Sequence, residues 1–339
     1  MSESDIQLLL TVPFPPTLVE RLQAISSRLK ITSHPTSDAE DLPEDLLQEI
    51  EILYTLSALP DADLVPNLHW IQIHYTGVDH ILGHPLLSSD LKITTMSGVS
   101  SPPLAELALM FILALSHRML NIIHSTPEER WASGRLKRYQ PLELRGSTIG
   151  VVGYGSVGRE IARLCQAFGA SVLATKRDLK RLSDDDYSLE GLGDPEAEIP
   201  DRLYPPQALR SMVSLCDFVI VTLPLTQETQ GIYDETIFEA MKPSAYLIDI
   251  SRGGIVDHGA LVEALNLGRL AGAALDVYPI EPLPESSPLW EMENVILTPH
   301  IGGSSAHYLE RAIQLFSMNI QHYLSGMPLL NIYDPSREY

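Results

Sequence analysis

The chain has 339 residues, enough for two domains that each bury a core, and its 45% hydrophobic and 20% charged content is that of a globular protein. A formal net charge of −21 repels nucleic acid and anionic membrane surfaces, so neither is an expected partner, and a site for any anionic substrate must bring its own cations. Cys165 and Cys216 cannot build a disulfide framework and sit in apolar runs as buried thiols, while the start MSESDIQ lacks a basic, apolar leader; both features point to the cytoplasm.

In chain order, strands are predicted at Ile6–Val12, Glu51–Leu56, Trp70–His74 and Lys92–Thr95, with helices from about Thr17 to Leu29 and near Gly77–Leu82. From Pro103 to about His124 runs an apolar helical stretch of near membrane-spanning length, but Glu106, His117 and Arg118 within it argue for a buried helix between domains. A second block alternates strands Thr148–Gly153, Ser171–Thr175, Phe218–Leu223, Ala245–Asp249, Gly272–Asp276 and Val295–Leu297 with helices Val157–Ala167, Gln207–Leu215, Asp234–Met241 and Ala260–Leu267. A last helix spans Ser304–Tyr323. The expected fold class is α/β with two doubly wound parallel-sheet domains, a flavodoxin-like domain over 1–102 and 304–339 and a Rossmann domain over 103–303. Residues 178–204 break the pattern, with nine acidic side chains that include Asp184, Asp185 and Asp186, and read as a partly disordered surface loop.

The turn after the first strand of the second block reads Gly153-Tyr154-Gly155-Ser156-Val157-Gly158. A bare G-x-G-x-x-G is a weak signal, but here it follows an apolar strand and opens an amphipathic helix. Gly153 permits the tight turn, Gly155 lets the backbone approach a pyrophosphate, Gly158 allows close packing, and the amides of Ser156 and Val157 point at phosphate oxygens. The ribose-reading position lies about 20 residues further on, where an NAD site places an acid. This chain has Lys176-Arg177 instead, followed by Lys180 and Arg181. Two readings stand: local provision for a 2′-phosphate, which makes NADP(H) the preferred cofactor with NAD(H) as the other, or solvated loop charges.

Downstream, the strand ending at Asp249 runs into Ser251-Arg252-Gly253-Gly254, Glu281 follows the next strand, and His300 stands in Thr298-Pro299-His300-Ile301-Gly302-Gly303. Arginine's planar fork suits bidentate capture of a carboxylate, and an acid behind a histidine fixes its tautomer and stabilises its imidazolium. No metal site is expected.

These motifs resemble the D-isomer-specific 2-hydroxyacid dehydrogenases, among them glyoxylate/hydroxypyruvate reductases. The likeness extends over nearly the whole chain and includes Gly77-Val78-Asp79, Ala105-Glu106, Leu223-Pro224-Leu225-Thr226, Asp276-Val277, Pro282-Leu283-Pro284 and Pro288-Leu289-Trp290. It implies an NAD(P)-dependent reductase of small 2-keto acids in which Arg252 binds the substrate carboxylate and His300, paired with Glu281, is general acid and base. Thr76 and Gly77 would bind substrate; Leu223, Pro224 and Thr229 would line the nucleotide; Ile250 and Asp276 would flank the nicotinamide, and Ser251, Arg252, His300 and Gly302 would also bind the cofactor. It also implies a homodimer joined through the nucleotide domain. The chain departs from the family's pattern in lacking the acidic ribose residue and in the length of its 178–204 loop. Side-chain selectivity would lie in loops near Tyr54–Leu56, Tyr75 and Val99–Pro102, and Tyr75 beside Thr76 points to a modest pocket that favours glyoxylate, hydroxypyruvate or similar short acids. Two other readings remain, a non-catalytic NAD(P)-sensing corepressor on this scaffold and oxidation of an inorganic oxyanion such as phosphite by the same catalytic parts.

Overall fold

The computed structural model describes residues 4–184 and 186–338, and divides the chain into Met1–Ser100 with Ser305–Tyr339 as one compact unit and Ser101–Ser304 as another. Asp185, part of the acidic run, lies outside the described residues. Among those described, no helix is long and apolar enough to cross a membrane.

The first unit is a parallel five-stranded sheet: β1 (Ile6–Leu10), β2 (Leu29–Ser33), β3 (Ile52–Thr55), β4 (Trp70–Ile73) and β5 (Lys92–Thr94), in the order β2-β1-β3-β4-β5. That is the flavodoxin-like order. Leu9, Leu53, Ile71, Ile73 and Ile93 build the core on one face. On the other, the helix Tyr308–Ser325 sets Phe316 against Tyr54 and Trp70, with ring centroids 4.8 and 5.2 Å apart.

The second unit is a seven-stranded parallel sheet: β6 (Thr148–Val152), β7 (Ser171–Thr175), β8 (Arg202–Tyr204), β9 (Phe218–Val221), β10 (Tyr246–Asp249), β11 (Gly272–Leu275) and β12 (Val295–Leu297). Its order, β8-β7-β6-β9-β10-β11-β12, is the Rossmann arrangement with one further strand beyond the sixth. Phe218 and Ile220 point to the core shared with the helix Ser101–Ser116, while Val219 and Val221 point to the core on the opposite face. Strands buried on both faces need this continuous apolar character.

Several expectations need correction. The first helix ends at Gln23, not Leu29, and Leu29–Ser33 is strand β2. An edge strand with a partly exposed Ile31 and exposed Lys30, Thr32 and Ser33 carries little of the apolar signal of a central strand. The Pro103–His124 helix is two helices, Ser101–Ser116 and Met119–His124, broken where Arg118 adopts left-handed φ and its Nε donates to the Gln140 carbonyl at 2.9 Å. Near Gly77–Leu82 there is only a single 3-10 turn, Asp79–Ile81. The second sheet has seven strands rather than six, because the tail of the supposed 178–204 loop pairs with β7 as β8. That segment is also packed rather than solvated: Tyr187 and Asp194 are buried within it.

Candidate active site

The registers put Val152, Val221, Asp249, Leu275 and Leu297 in one row at the carboxyl edge of the second sheet. The turn at Gly153, the segment Leu223–Thr229, Arg252, Glu281 and His300 all follow strands ending on that row. Ligands of open α/β sheets bind at this edge, beside the point where strand order reverses, here between β6 and β9.

The glycine turn fits a dinucleotide. The Gly153 amide donates to the Thr175 hydroxyl at 3.0 Å and its carbonyl accepts from the Thr222 hydroxyl at 2.8 Å, which fixes the turn to both neighbouring strands. A Cβ on Gly158 would stand 2.2 Å from the Gly153 carbonyl oxygen, so only glycine lets the helix Ser156–Ala167 start so close. A Cβ on Gly155 would meet nothing within 4 Å, and no side chain caps the helix N-terminus. An open approach to a helix start with positive partial charge is where a pyrophosphate sits.

Lys176 follows β7, its amide donating to the Tyr204 carbonyl at 3.0 Å. Burial, then the neighbouring Arg159 guanidinium, lowers the pKa of its ammonium. Arg177 lines an open cavity of about 470 Å³ with Pro206, Gln207, Glu228 and Ile232, and lies 3.9 Å from the Glu228 carboxylate. Thr229 closes its own 224–229 turn: its hydroxyl donates to the Pro224 carbonyl at 2.6 Å and accepts the Thr226 amide at 2.9 Å. Leu223 packs against the neighbouring core.

The acid–base pair is assembled. His300 Nδ1 lies 2.8 Å from Glu281 Oε2, and the Tyr278 amide donates to Glu281 Oε1 at 3.0 Å. The outer nitrogen, Nε2, is thereby left for chemistry. His300 has φ of 51°, a left-handed conformation rare outside glycine. Asp276 holds that strain in place, since its buried carboxylate accepts from the Thr298 hydroxyl at 2.6 Å and from the amides of Ile301 at 3.0 Å and Gly302 at 2.8 Å. A Cβ on Gly302 would come within 2.8 Å of Asp276, Leu104 and Leu107. Arg252 is half-buried, with Nη1 donating to the Ser251 carbonyl at 2.8 Å; Ser251 in turn donates to Asp249 Oδ1 from its amide at 3.1 Å and from its hydroxyl. Ile250 is buried.

The chain belongs to the D-isomer specific 2-hydroxyacid dehydrogenase family. The family's NAD-binding-domain model matches residues 109–302. The glyoxylate reductase of Thermofilum pendens is 32% identical over 308 residues, covering 87% of this chain and 86% of that one. A family member from Xanthobacter autotrophicus Py2, solved with NADPH and MES, superposes with a TM-score of 0.80 at 27% identity over 99% of this chain and 100% of its own. The NADPH-dependent glyoxylate/hydroxypyruvate reductase of Sinorhizobium meliloti, solved with NADP and malonate, gives 0.70 at 27% identity over 97% of each chain. As a 2-hydroxyacid dehydrogenase the chain is an NAD(P)-dependent oxidoreductase.

Thr76 and Gly77 lie in the first unit, just past the carboxyl end of β4, where the Thr76 hydroxyl donates to the Met96 carbonyl at 3.1 Å. His74 beside them is a satisfied core group: the Tyr54 hydroxyl bonds its Nδ1 at 2.7 Å and burial pushes its pKa down to about 4. Side chains to which the sequence motifs gave no role also border the site. Tyr154, Arg159 and Asp194 form a buried cluster beside the glycine turn, and the Tyr278 amide orients Glu281. An arginine directly after the last motif glycine was the one signal for that cluster.

Proposed function

We propose that this dehydrogenase reduces short 2-keto acids, glyoxylate and hydroxypyruvate foremost, to D-2-hydroxy acids and prefers NADPH to NADH. Support for the chemistry comes from the His300–Glu281 pair at 2.8 Å on the sheet edge that also carries Arg252 and the glycine turn. The substrate class follows the glyoxylate reductase relative, and the cofactor preference follows Lys176 and Arg177, where an NAD site has an acid.

In this reading Gly153, Gly155, Ser156, Val157 and Gly158 take the pyrophosphate; Leu223, Pro224 and Thr229 line the nucleotide; and Ile250, Ser251, Asp276 and Gly302 flank its nicotinamide end. The reduced nicotinamide, when bound, supplies the hydride for the keto carbon. Arg252 binds the substrate carboxylate in a bidentate grip and polarises the keto group, with Thr76 and Gly77 also assigned to substrate. His300, protonated, donates from Nε2 to the keto oxygen as that oxygen gains charge, and Glu281 holds the imidazolium before transfer. In the oxidative direction neutral His300 takes the hydroxyl proton back.

A homodimer through the second unit is part of the proposal. Ile123, Trp131 and Leu136 are exposed there, Leu136 by 81%, apolar side chains that such an interface could cover. Light scattering of the purified chain checks it.

Assays of 2-keto acids with NADPH and with NADH, following loss of reduced-nicotinamide absorbance, test the whole. Turnover of short keto acids with NADPH favoured is the expected result. Binding of dinucleotide with no turnover of any keto acid would leave the sensor reading in its place.

A further inference from the structure

Arg159 directly follows Gly158 and is only 2% exposed. A buried guanidinium requires polar partners, and among the described residues its hydrogen bonds and ion pair run to the 178–201 segment, while Nε makes no hydrogen bond. Nη2 donates to the Leu182 carbonyl at 2.6 Å, Nη1 to the carbonyls of Asp194 and Pro195, and Nε lies 3.2 Å from the Asp184 carboxylate. The guanidinium also stacks over the ring of Tyr154, 4.9 Å from its centroid.

Tyr154 stands inside the glycine turn, between Gly153 and Gly155, and its hydroxyl donates to Asp194 Oδ2 at 2.5 Å. Asp194 then gathers the segment's own backbone, accepting the amides of Glu198 at 2.9 Å and Ile199 at 3.0 Å. A second tie runs from the Gly193 amide to buried Glu160 at 2.7 Å. The segment starts at Lys176 and Arg177 and returns as β8, whose Tyr204 carbonyl accepts the Lys176 amide. Asp184 and Asp194 thus tie the segment to Arg159 and Tyr154 at the glycine turn, and its ends meet the strand that carries Lys176.

We infer that the described residues of the 178–201 segment, 178–184 and 186–201, are a strap that positions the cofactor, with Arg159 and Asp194 as positioning residues linking the phosphate turn, through Tyr154, to Lys176 and Arg177. The inference rests on the proposed seat of the dinucleotide in the Gly153–Gly158 turn. Arg159 is enclosed by the strap and 2% exposed, so it would act on a bound cofactor only through its neighbours. Because binding and strap order are linked, each strengthens the other.

The test uses the full chain with Arg159→Met and with Tyr154→Phe, which removes a single hydroxyl and keeps the ring. Losing a charged hydrogen-bond set should raise the NADP⁺ dissociation constant and the KM for NADPH about tenfold or more in Arg159→Met, and severalfold in Tyr154→Phe. kcat at saturating cofactor and KM for glyoxylate should hold within about twofold, a split that a general loss of folded protein would not produce. In the unaltered protein, NADP⁺ should slow hydrogen exchange at the Gly193, Glu198 and Ile199 amides. Should Arg159→Met fail to fold, Tyr154→Phe and the exchange measurement decide. Unaltered NADP⁺ affinity in the variants, or exchange at those amides indifferent to NADP⁺, would overturn the strap. Absence of any saturable NADP⁺ or NAD⁺ binding by the unaltered protein would instead overturn the seat in the turn, and the strap with it.

Discussion

Glu281 holds His300 by Nδ1 at 2.8 Å while its other oxygen accepts the Tyr278 amide at 3.0 Å, so the backbone beyond β11 orients the acid that orients the imidazole. With the proton-bearing role assigned to His300, His300→Ala should lower kcat by about 10²–10⁴ and leave NADPH binding nearly unchanged. Glu281→Gln places an amide against Nδ1, where its N–H can force the other tautomer, and should lower kcat by about 10² or more. Steady-state kinetics with glyoxylate, beside NADPH titration, separates the two effects. A His300 variant turning over at the normal rate would remove the mechanism.

Cofactor choice is expected to follow the pair at the end of β7. Charge-assisted hydrogen bonds contribute roughly 1.5–3 kcal/mol each, and about 1.4 kcal/mol is tenfold in affinity, so two contacts to a 2′-phosphate favour NADPH by about 10²–10⁴, less where solvent screens them. Lys176→Asp with Arg177→Ala should reverse the preference through KM for the cofactor. Equal kcat/KM for NADPH and NADH in the unaltered enzyme would show that the cations are solvated loop charges.

Gly302→Ala tests the loop that carries His300. The new methyl would stand 2.7 Å from Leu107 and 2.8 Å from both Leu104 and the Asp276 carboxylate. Overpacking of this kind costs about 1–3 kcal/mol, and relief requires the loop to leave Asp276, so kcat should fall together with thermal stability. Retention of both would mean that the loop yields without moving the imidazole.

Asp249 carries a pH dependence. Its Oδ2 is buried with no hydrogen-bond partner among the described residues, and burial, with the Asp276 carboxylate adding, pushes its pKa up to about 7. The folded chain keeps this proton where the unfolded chain has lost it, so the unfolded state binds fewer protons and stability falls as pH rises from about 4 to about 7. Asp249→Asn should abolish that part of the slope and exceed the unaltered protein in stability at about pH 8, by at most about 4 kcal/mol. Urea unfolding at about pH 5 and about pH 8 reads the difference. Parallel slopes for the two proteins would place the effect elsewhere.

The local motifs were readable because each is a short-range physical requirement. The Gly153–Gly158 turn must follow a strand and open a helix, and β6 and the helix Ser156–Ala167 stand there. Central strands such as Phe218–Val221 showed themselves by apolar runs, since they are buried on both faces. Of the edge strands, Lys92–Thr94 and Val295–Leu297 were also readable, but Leu29–Ser33 and Arg202–Tyr204, each with one buried residue and exposed polar ones, were not, because backbone pairing holds them and side-chain patterns do not encode it.

By itself, then, the sequence determined the doubly wound α/β class, the glycine cradle, and the order in which a cation, an acid and an imidazole follow it. Tertiary structure alone decided what those groups do to one another: the shared sheet edge set by register, the Glu281–His300 contact, the Asp276 clamp on a left-handed His300, and the burial of Arg159 under a segment whose composition reads as solvent-exposed. Composition reports the average cost of burying a charge, whereas burial of this one depended on carbonyls, a carboxylate and a ring brought together from residues 154 to 195, a long-range pairing that no local pattern specifies.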